Sequence, residues 1–153
     1  MEQYEKLARE LMEAMAQRGP VPPKDKIGES MRGEMAVLRL LGEKDCQVAA
    51  GEISRLLNMT TSRIAAVLGS LEKKAFITRQ TDETDKRRVL VELTDQGRAF
   101  HEARKAEACR HMQQILVRLG EEDAHEFVRL MKRISQILPE LTPPNHQKEN
   151  EEQ

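Results

Sequence analysis

The stretch from Ala49 to Lys74 reads AAGEISRLLNMTTSRIAAVLGSLEKK, and it decides the fold. Apolar residues at helical spacing predict a short helix from Ala49 to Leu57 and a longer one from Thr60 to Lys74. Asn58 suits the turn between them, because asparagine tolerates a left-handed backbone better than most residues other than glycine. Thr60 is a good N-cap for the longer helix. The stretch therefore predicts two helices joined by a tight turn.

The pattern after these helices is that of a β-hairpin. Ile77–Thr81 and Val89–Leu93 are β-prone runs, and the second alternates with period two. Between them, Asp82 to Arg87 forms a highly charged tip. Two helices followed by a basic-tipped hairpin predict a winged helix-turn-helix from about Ala49 to Arg98.

Amphipathic helices are predicted on both sides of this segment. One runs from Tyr4 to Arg18 and is broken by the proline-rich residues 19–23, and a second runs from Ser30, its N-cap, to Gly42. Thr94 caps a long helix to about Leu119. A last helix begins after Gly120 and ends at Pro139.

The fold class expected is mainly α with a small β-hairpin wing. The N- and C-terminal helices would form a helical dimerisation arm, because each has an apolar stripe without an obvious partner in so small a winged domain. We expect an N-terminal helix and linker at 1–30, the DNA-binding domain at 31–98, dimerisation helices at 99–139 and a disordered acidic tail at 140–153.

Composition narrows the class of protein. The 153 residues carry a net charge of −1, but residues 55–98 sum to +3 and residues 140–153 to −3. No apolar run approaches the length of a membrane span, and residues 1–15 lack a signal-peptide core, so we expect a cytoplasmic protein with no membrane partner. Two separated cysteines predict neither a disulfide framework nor a zinc ribbon.

The helical wheel of the Thr60–Lys74 helix gives it two unlike faces. The apolar face consists of Ile64, Val67, Leu68 and Leu71. The opposite face consists of Ser62, Ala66, Gly69 and Lys73, flanked by Arg63, Ala65 and Ser70. Small residues let a backbone approach the floor of a DNA groove, and an alanine methyl can meet a thymine methyl. We interpret this helix as a recognition helix, although a plain solvated face is the alternative.

The hairpin tip supplies the second predicted contact. Arginine suits a narrow minor groove, and Asp85 is placed to hold the guanidinium of Arg87 in one direction. Arg79 and Lys73 would reach phosphates, which position a protein but do not read sequence. The predicted DNA-binding residues are Thr60, Thr61, Ser62, Arg63, Ala66, Gly69, Ser70, Lys73, Arg79, Asp85, Lys86, Arg87 and Arg88.

Four short motifs follow one another along the chain. They are Leu57-Asn58-Met59-Thr60-Thr61-Ser62-Arg63-Ile64, Leu71-Glu72-Lys73-Lys74, Asp85-Lys86-Arg87 and Leu93-Thr94-Asp95-Gln96-Gly97. In these the chain resembles the MarR family of bacterial transcriptional regulators, over about Met31 to Leu138. It departs from the family pattern at Ala75, where glycine is usual, and at Lys86, where arginine is usual.

The resemblance implies an obligate homodimer on double-stranded DNA. Its two recognition helices would enter successive major grooves of a pseudo-palindromic operator, and Arg87, oriented by Asp85, would enter the minor groove. Most family members are repressors that a small effector releases, often an aromatic acid or phenol. The resemblance places an effector cavity, for an aromatic or apolar molecule, near Met31, Met35, Arg39, Phe100, His101 and Arg104. It implies no cofactor.

Other interpretations stay open from the sequence. The methionines of the effector set are more often ordinary core residues. A metal- or redox-gated regulator of the same fold is an alternative, although no histidine pair has i, i+4 spacing and only Cys46 lies in a loop. A winged-helix protein-assembly module without specific DNA binding is another. No P-loop, nucleophile elbow, zinc-protease motif or Rossmann fingerprint is present, so we expect no enzyme and no catalytic or metal site.

Overall fold

The structure, a computed structural model, describes residues 1–16 and 26–141. Six helices and three strands occur in that part of the chain. In chain order they are α1 (Glu2–Ala16), α2 (Lys26–Lys44), β1 (Val48–Ala49), α3 (Ala50–Leu56), α4 (Thr61–Lys73), β2 (Ile77–Thr81), β3 (Val89–Leu93), α5 (Asp95–Leu119) and α6 (Glu121–Leu141). The expected class, mainly α with a small β wing, is confirmed.

The two central helices form as their local signals predict. Asn58 adopts a left-handed φ of 51° in the turn. Thr60 is the N-cap of α4, and its Oγ1 accepts a hydrogen bond from the backbone N–H of Arg63 at 3.3 Å. The predicted apolar face of α4 is buried. The opposite face of the helix therefore points toward solvent.

Helix α4 ends in a Schellman motif, a pair of crossed backbone hydrogen bonds around a left-handed residue. The N–H of Ala75 donates to the carbonyl of Glu72 at 2.9 Å, and that of Phe76 donates to Leu71 at 3.0 Å. Ala75 itself has a φ of 59°. An L-residue with a Cβ pays roughly 1 kcal/mol for this conformation, so the chain keeps the usual helix end despite lacking the usual glycine.

The Leu-Thr-x-x-Gly motif ties the start of α5 to the end of α4. The hydroxyl of Thr94 donates to the carbonyl of Ala75 at 2.6 Å and accepts the N–H of Gly97 at 3.0 Å. Gly97 lies so close to the loop that a Cβ built there would stand 1.9 Å from the carbonyl oxygen of Phe76. The motif therefore sets where α5 leaves the winged domain.

The wing belongs to a three-stranded antiparallel sheet with strand order β1-β3-β2. The predicted hairpin is present, with Ile77 opposite Leu93 and Thr81 opposite Val89. Strand β1, which pairs Val48 with Val91, was not predicted, because two residues are too short to show a period.

The described chain forms two compact units, each with its own core. The first, which we call the winged unit, comprises the described residues 26–106 and contains α2 to β3 and the first part of α5. Its fully buried large side chains come from the helices α2, α3 and α4 and from the strands β2 and β3. They are Val37, Leu38, Leu41, Ile53, Leu68, Leu71, Ile77 and Val91.

The second, the terminal-helix unit, combines α1 with α5 from Glu107 onward and α6. A small buried cluster centres on Leu11 and Leu116. Many large apolar side chains of the unit remain exposed within the single chain. Those on α5 and α6 are Ile115, Val117, Leu119, Phe127, Leu130, Ile134, Ile137 and Leu141. None of the described helices is both long enough and apolar enough to span a membrane.

Three boundary predictions are wrong. Helix α2 begins at Lys26, so Ser30 lies inside the helix and is not its N-cap. Pro139 lies inside α6, which continues to Leu141, since a proline in the last turn removes only one backbone hydrogen bond. The short helix predicted to run from Ala49 to Leu57 runs from Ala50 to Leu56, with Leu57 as its C-cap. The proline-rich break at 19–23 and residues 142–153 of the predicted tail lie outside the described residues.

Candidate nucleic-acid interface

The small-residue face of α4 is open to solvent. Ser62, Ala66 and Lys73 are exposed, together with Thr60 and Thr61 at the start of the helix. A Cβ built on Gly69 would meet no atom within 4 Å. The face is therefore accessible along its whole length, as a helix that enters a groove requires.

Arg63 differs from its neighbours on this face. It is half-buried, and one guanidinium nitrogen lies 3.9 Å from the position of a Cβ on Gly33 of α2. The side chain thus lies against α2 in the free protein. Contact with a base edge would require it to swing away from Gly33.

Ser70, predicted to bind DNA, is turned toward the protein interior. Its hydroxyl donates to the carboxylate Oε1 of Glu34 on α2 at 2.5 Å. The other carboxylate oxygen of Glu34 accepts from Nζ of Lys74 at 2.5 Å. Ser70 is therefore a link to α2, and a contact between its hydroxyl and DNA stays a prediction. Glu34 was not predicted, because its only signal in the sequence is an acid beside the apolar stripe of α2.

Arg79 also has a protein partner. Its Nε donates to a carboxylate oxygen of Glu72 near the end of α4. Because Glu72 balances its charge, Arg79 contributes less to phosphate attraction than its position on β2 suggested.

The wing tip is a tight turn organised by Asp85. The carbonyl of Asp85 accepts the N–H of Arg88 at 2.9 Å, and its carboxylate Oδ1 accepts the N–H of Arg87 at 3.1 Å. Lys86 and Arg87 occupy the two central positions of the turn and are exposed. Asp85 was expected to orient the guanidinium of Arg87. It instead holds the backbone N–H of Arg87, and among the described contacts it makes no ion pair with the guanidinium.

A second acid stabilises the base of the turn. The carboxylate Oδ1 of Asp82 accepts from the backbone N–H of Thr84 at 2.9 Å and from its hydroxyl at 2.8 Å. These hydrogen bonds hold the pKa of Asp82 below its usual range. Its other oxygen lies 3.5 Å from a guanidinium nitrogen of Arg88. Arg88 is therefore partly neutralised, whereas Lys86 and Arg87 are not paired within the described chain.

Comparisons with known proteins agree with this geometry. The profile of the family described as "Winged helix DNA-binding domain" matches residues 32–97. In Bacillus subtilis, an uncharacterized HTH-type transcriptional regulator, YdgJ, is 27% identical over 67% of this chain, and an HTH-type transcriptional repressor, YetL, is 26% identical over 65%. The chain spans 62% and 60% of the lengths of these two relatives.

Solved structures share the fold over most of the chain. Streptococcus pneumoniae FabT, crystallised in complex with DNA, has a TM-score of 0.60 at 28% identity, covering 71% of this chain and 76% of its own. Bacillus subtilis YusO has a TM-score of 0.62 at 24% identity over 88% and 87%. MarR itself has a TM-score of 0.56 at 22% identity over 71% and 73%.

The chain contains a winged-helix DNA-binding domain, and its fold is similar to the folds of YusO and MarR. The motifs from Leu57 to Gly97 in which the resemblance lay are those that build the turn, the wing and the α4–α5 junction.

The residues expected at a MarR-family effector cavity lie at different depths in the winged unit. Phe100 is part of the core, where its ring stacks on Phe76 with centroids 4.5 Å apart. Met35 packs on the same core, whereas Met31 is 58% exposed. Arg39 lies 4.0 Å from Glu43 on its own helix. Arg104 is exposed on α5.

His101 is the unusual member of that set. It is buried on α5 and pressed against α2, where a Cβ on Gly42 would lie 2.8 Å from its ring. Its Nδ1 has no hydrogen-bond partner within the part of the chain that the structure describes. Burial lowers the pKa of His101, an effect partly opposed by Glu102 and Glu43.

We expect this histidine to make stability depend on pH. Because the pKa is lower in the folded than in the unfolded state, the unfolded chain binds more protons in acid. The stabilising contribution is complete above the unfolded value, about 6.5, and is lost as the pH falls below it. Thermal melts between pH 8 and 5 should therefore be flatter for His101→Leu than for the wild type, with exposed His111→Leu as the matched control. Equal pH profiles for all three proteins would contradict the assignment.

The two cysteines differ in exposure. Cys46 is exposed, as expected, and Cys109 is half-buried against the core of the terminal-helix unit. Among the described residues, no three His, Cys, Asp or Glu side chains come together in a way that would hold a metal ion.

Proposed function

We propose that the protein is a homodimeric repressor that binds a pseudo-palindromic operator and leaves it when a small aromatic or apolar effector binds. The observation that carries this proposal is the open small-residue face of α4 beside a wing whose turn exposes Lys86 and Arg87. The name of the relative YetL, a transcriptional repressor, supports the direction of regulation. Such a regulator would act in the cytoplasm and carry no enzymatic activity.

The exposed apolar surface of the terminal-helix unit supports a dimer. Soluble monomers rarely expose so many large apolar side chains on so few helices. We assign dimerisation to residues 1–30 and 99–139, as the sequence pattern suggested. A two-fold symmetric dimer matches a pseudo-palindromic operator whose half-sites lie about one helical turn of DNA apart.

The effector part of the proposal rests on His101 and its neighbours. A buried nitrogen without a partner is unfavourable unless another group completes its hydrogen bond. An aromatic acid or phenol offers such a group together with apolar surface. Arg39, near the same face of α2, would favour an acidic effector.

Removal of the wing arginine tests the DNA-binding assignment directly. Arg87→Ala should weaken binding to a selected operator by about 10- to 100-fold, since a specific arginine contact is worth about 1–3 kcal/mol. Gel shifts at two salt concentrations measure the loss. Arg118→Ala, which removes the same charge from the last turn of α5, is the control.

Two outcomes would argue against the proposal. Equal binding by the wild type and Arg87→Ala would exclude the wing from the interface. Failure of the wild type to enrich any sequence from a random pool would favour the assembly-module alternative.

A further inference from the structure

Glu34 is a nearly buried carboxylate between α2 and the end of the recognition helix. It is 9% exposed, and each of its oxygens accepts one short hydrogen bond, from Ser70 and from Lys74, at 2.5 Å. Both donors belong to the last turn and C-cap of α4 and are one helical turn apart. The carboxylate therefore holds α4 at two points along one side.

These contacts supply a directionality that the buried apolar residues of α4 do not. The other buried residues of α4 are apolar, and apolar contacts are not directional. The backbones are close, since a Cβ on Gly33 would lie 3.1 Å from Cγ2 of Val67. Hydrogen bonds from Ser70 and Lys74 to one carboxylate fix the rotation of α4 about its axis, and this rotation decides which side chains face a groove.

The same carboxylate also forms an ion pair with Lys74, which lies next to the proposed DNA-binding face of α4. Lys73 is exposed on the small-residue face and has no ion-pair partner among the described residues, whereas its neighbour Lys74 is paired with Glu34. A carboxylate near the C-terminal end of a helix is unfavourable by itself, so Lys74 is the group that makes it tolerable. Sequence-independent affinity grows with the number of phosphates neutralised, and this pair keeps one cation per subunit out of that number.

We propose that Glu34 is a positioning residue for DNA specificity: it orients the recognition helix through Ser70 and restrains the charge of Lys74. The inference rests on the proposed sequence-specific DNA binding. It predicts that loss of Glu34 makes the protein bind DNA in general more tightly and its operator less selectively.

The test compares a duplex selected by the wild type with a random-sequence duplex of equal length, over a series of salt concentrations. Glu34→Gln frees Lys74 and leaves Ser70 only a neutral acceptor, whose hydrogen bond is about half as strong as one to a carboxylate. Its affinity for the random duplex should rise several-fold, and its salt slope should steepen by about 0.9 for each lysine that reaches a phosphate. The ratio of selected to random affinity should fall about tenfold.

Two further variants separate position from charge. Ser70→Ala keeps the ion pair, so the ratio should fall while the salt slope stays that of the wild type. Glu34→Gln combined with Lys74→Gln should restore the slope. Glu43→Gln, an exposed acid paired on the same helix, is the matched control for a lost negative charge.

The outcomes are distinct. Glu34→Gln could lower the melting temperature and yet have the same ratio of selected to random affinity and the same salt slope as Glu43→Gln. Glu34 would then have only a structural role, and the inference would be overturned. If Glu34→Gln does not fold, an unchanged ratio in Ser70→Ala overturns it. If the wild type binds DNA without sequence preference, the proposed function is contradicted instead. The inference is then decided by whether Glu34→Gln has a steeper salt slope than the wild type on the random duplex. A wild type that binds no duplex overturns both.

Discussion

Replacing Gly97 with alanine is expected to lower the free energy of unfolding by about 3 kcal/mol, at the upper end of the cost of overpacking. The new Cβ would lie 1.9 Å from the carbonyl oxygen of Phe76, a backbone atom that already accepts the N–H of Thr94 at 3.0 Å. No side-chain rotation relieves such a contact, so α5 or the start of β2 must move. A melting temperature lower by roughly 6–12 °C follows for a chain of this size.

Gly51→Ala is the matched control for this substitution. It makes the same change in helix α3, where a Cβ would meet no atom within 4 Å. Alanine stabilises a helix relative to glycine by up to about 1 kcal/mol, so the melting temperature should stay constant or rise. Both variants are compared at one protein concentration, because the stability of the proposed dimer would depend on it. An unchanged melting temperature for Gly97→Ala would mean that the α4–α5 junction is looser than described.

The elements that the sequence predicted well are those whose signals are local. Helix α4 begins after Thr60 because that hydroxyl caps it, and the positive φ of Asn58 follows from the residue itself. The bounds of β2 and β3 were predicted correctly from period-two alternation and turn residues. Caps, turns and periodicity act within a few residues, so no knowledge of the tertiary structure is needed to read them.

The features that sequence reasoning missed depend on distant partners. Strand β1 exists because Val48 pairs with Val91, which no window around Val48 reveals. Ser70 lies at the edge of the predicted groove face, and only the carboxylate of Glu34, 36 positions earlier, turns it inward. Arg79 was assigned to phosphate without its partner Glu72. A helical wheel gives the angle of a side chain, but not which neighbour takes its hydrogen bond.

Ala66→Leu is expected to have the largest effect on DNA binding. Ala66 is exposed at the centre of the face formed by Ser62, Gly69 and Lys73. A leucine there would hold the helix away from the groove floor and weaken the contacts around it, each worth about 1–3 kcal/mol. The proposed dimer would carry the change twice, so affinity for a selected operator should fall by about 100-fold or more.

Stability separates this effect from misfolding. Leucine and alanine have similar helix propensities, and a substitution at an exposed position usually changes stability by less than about 0.5 kcal/mol. The melting temperature of Ala66→Leu should therefore match that of the wild type, while fluorescence anisotropy with a labelled operator reports the lost affinity. Ala103→Leu, the same substitution at an exposed position of α5, should bind normally. If Ala66→Leu binds as well as Ala103→Leu, the small-residue face does not enter a groove, and the interface must be sought on the wing alone.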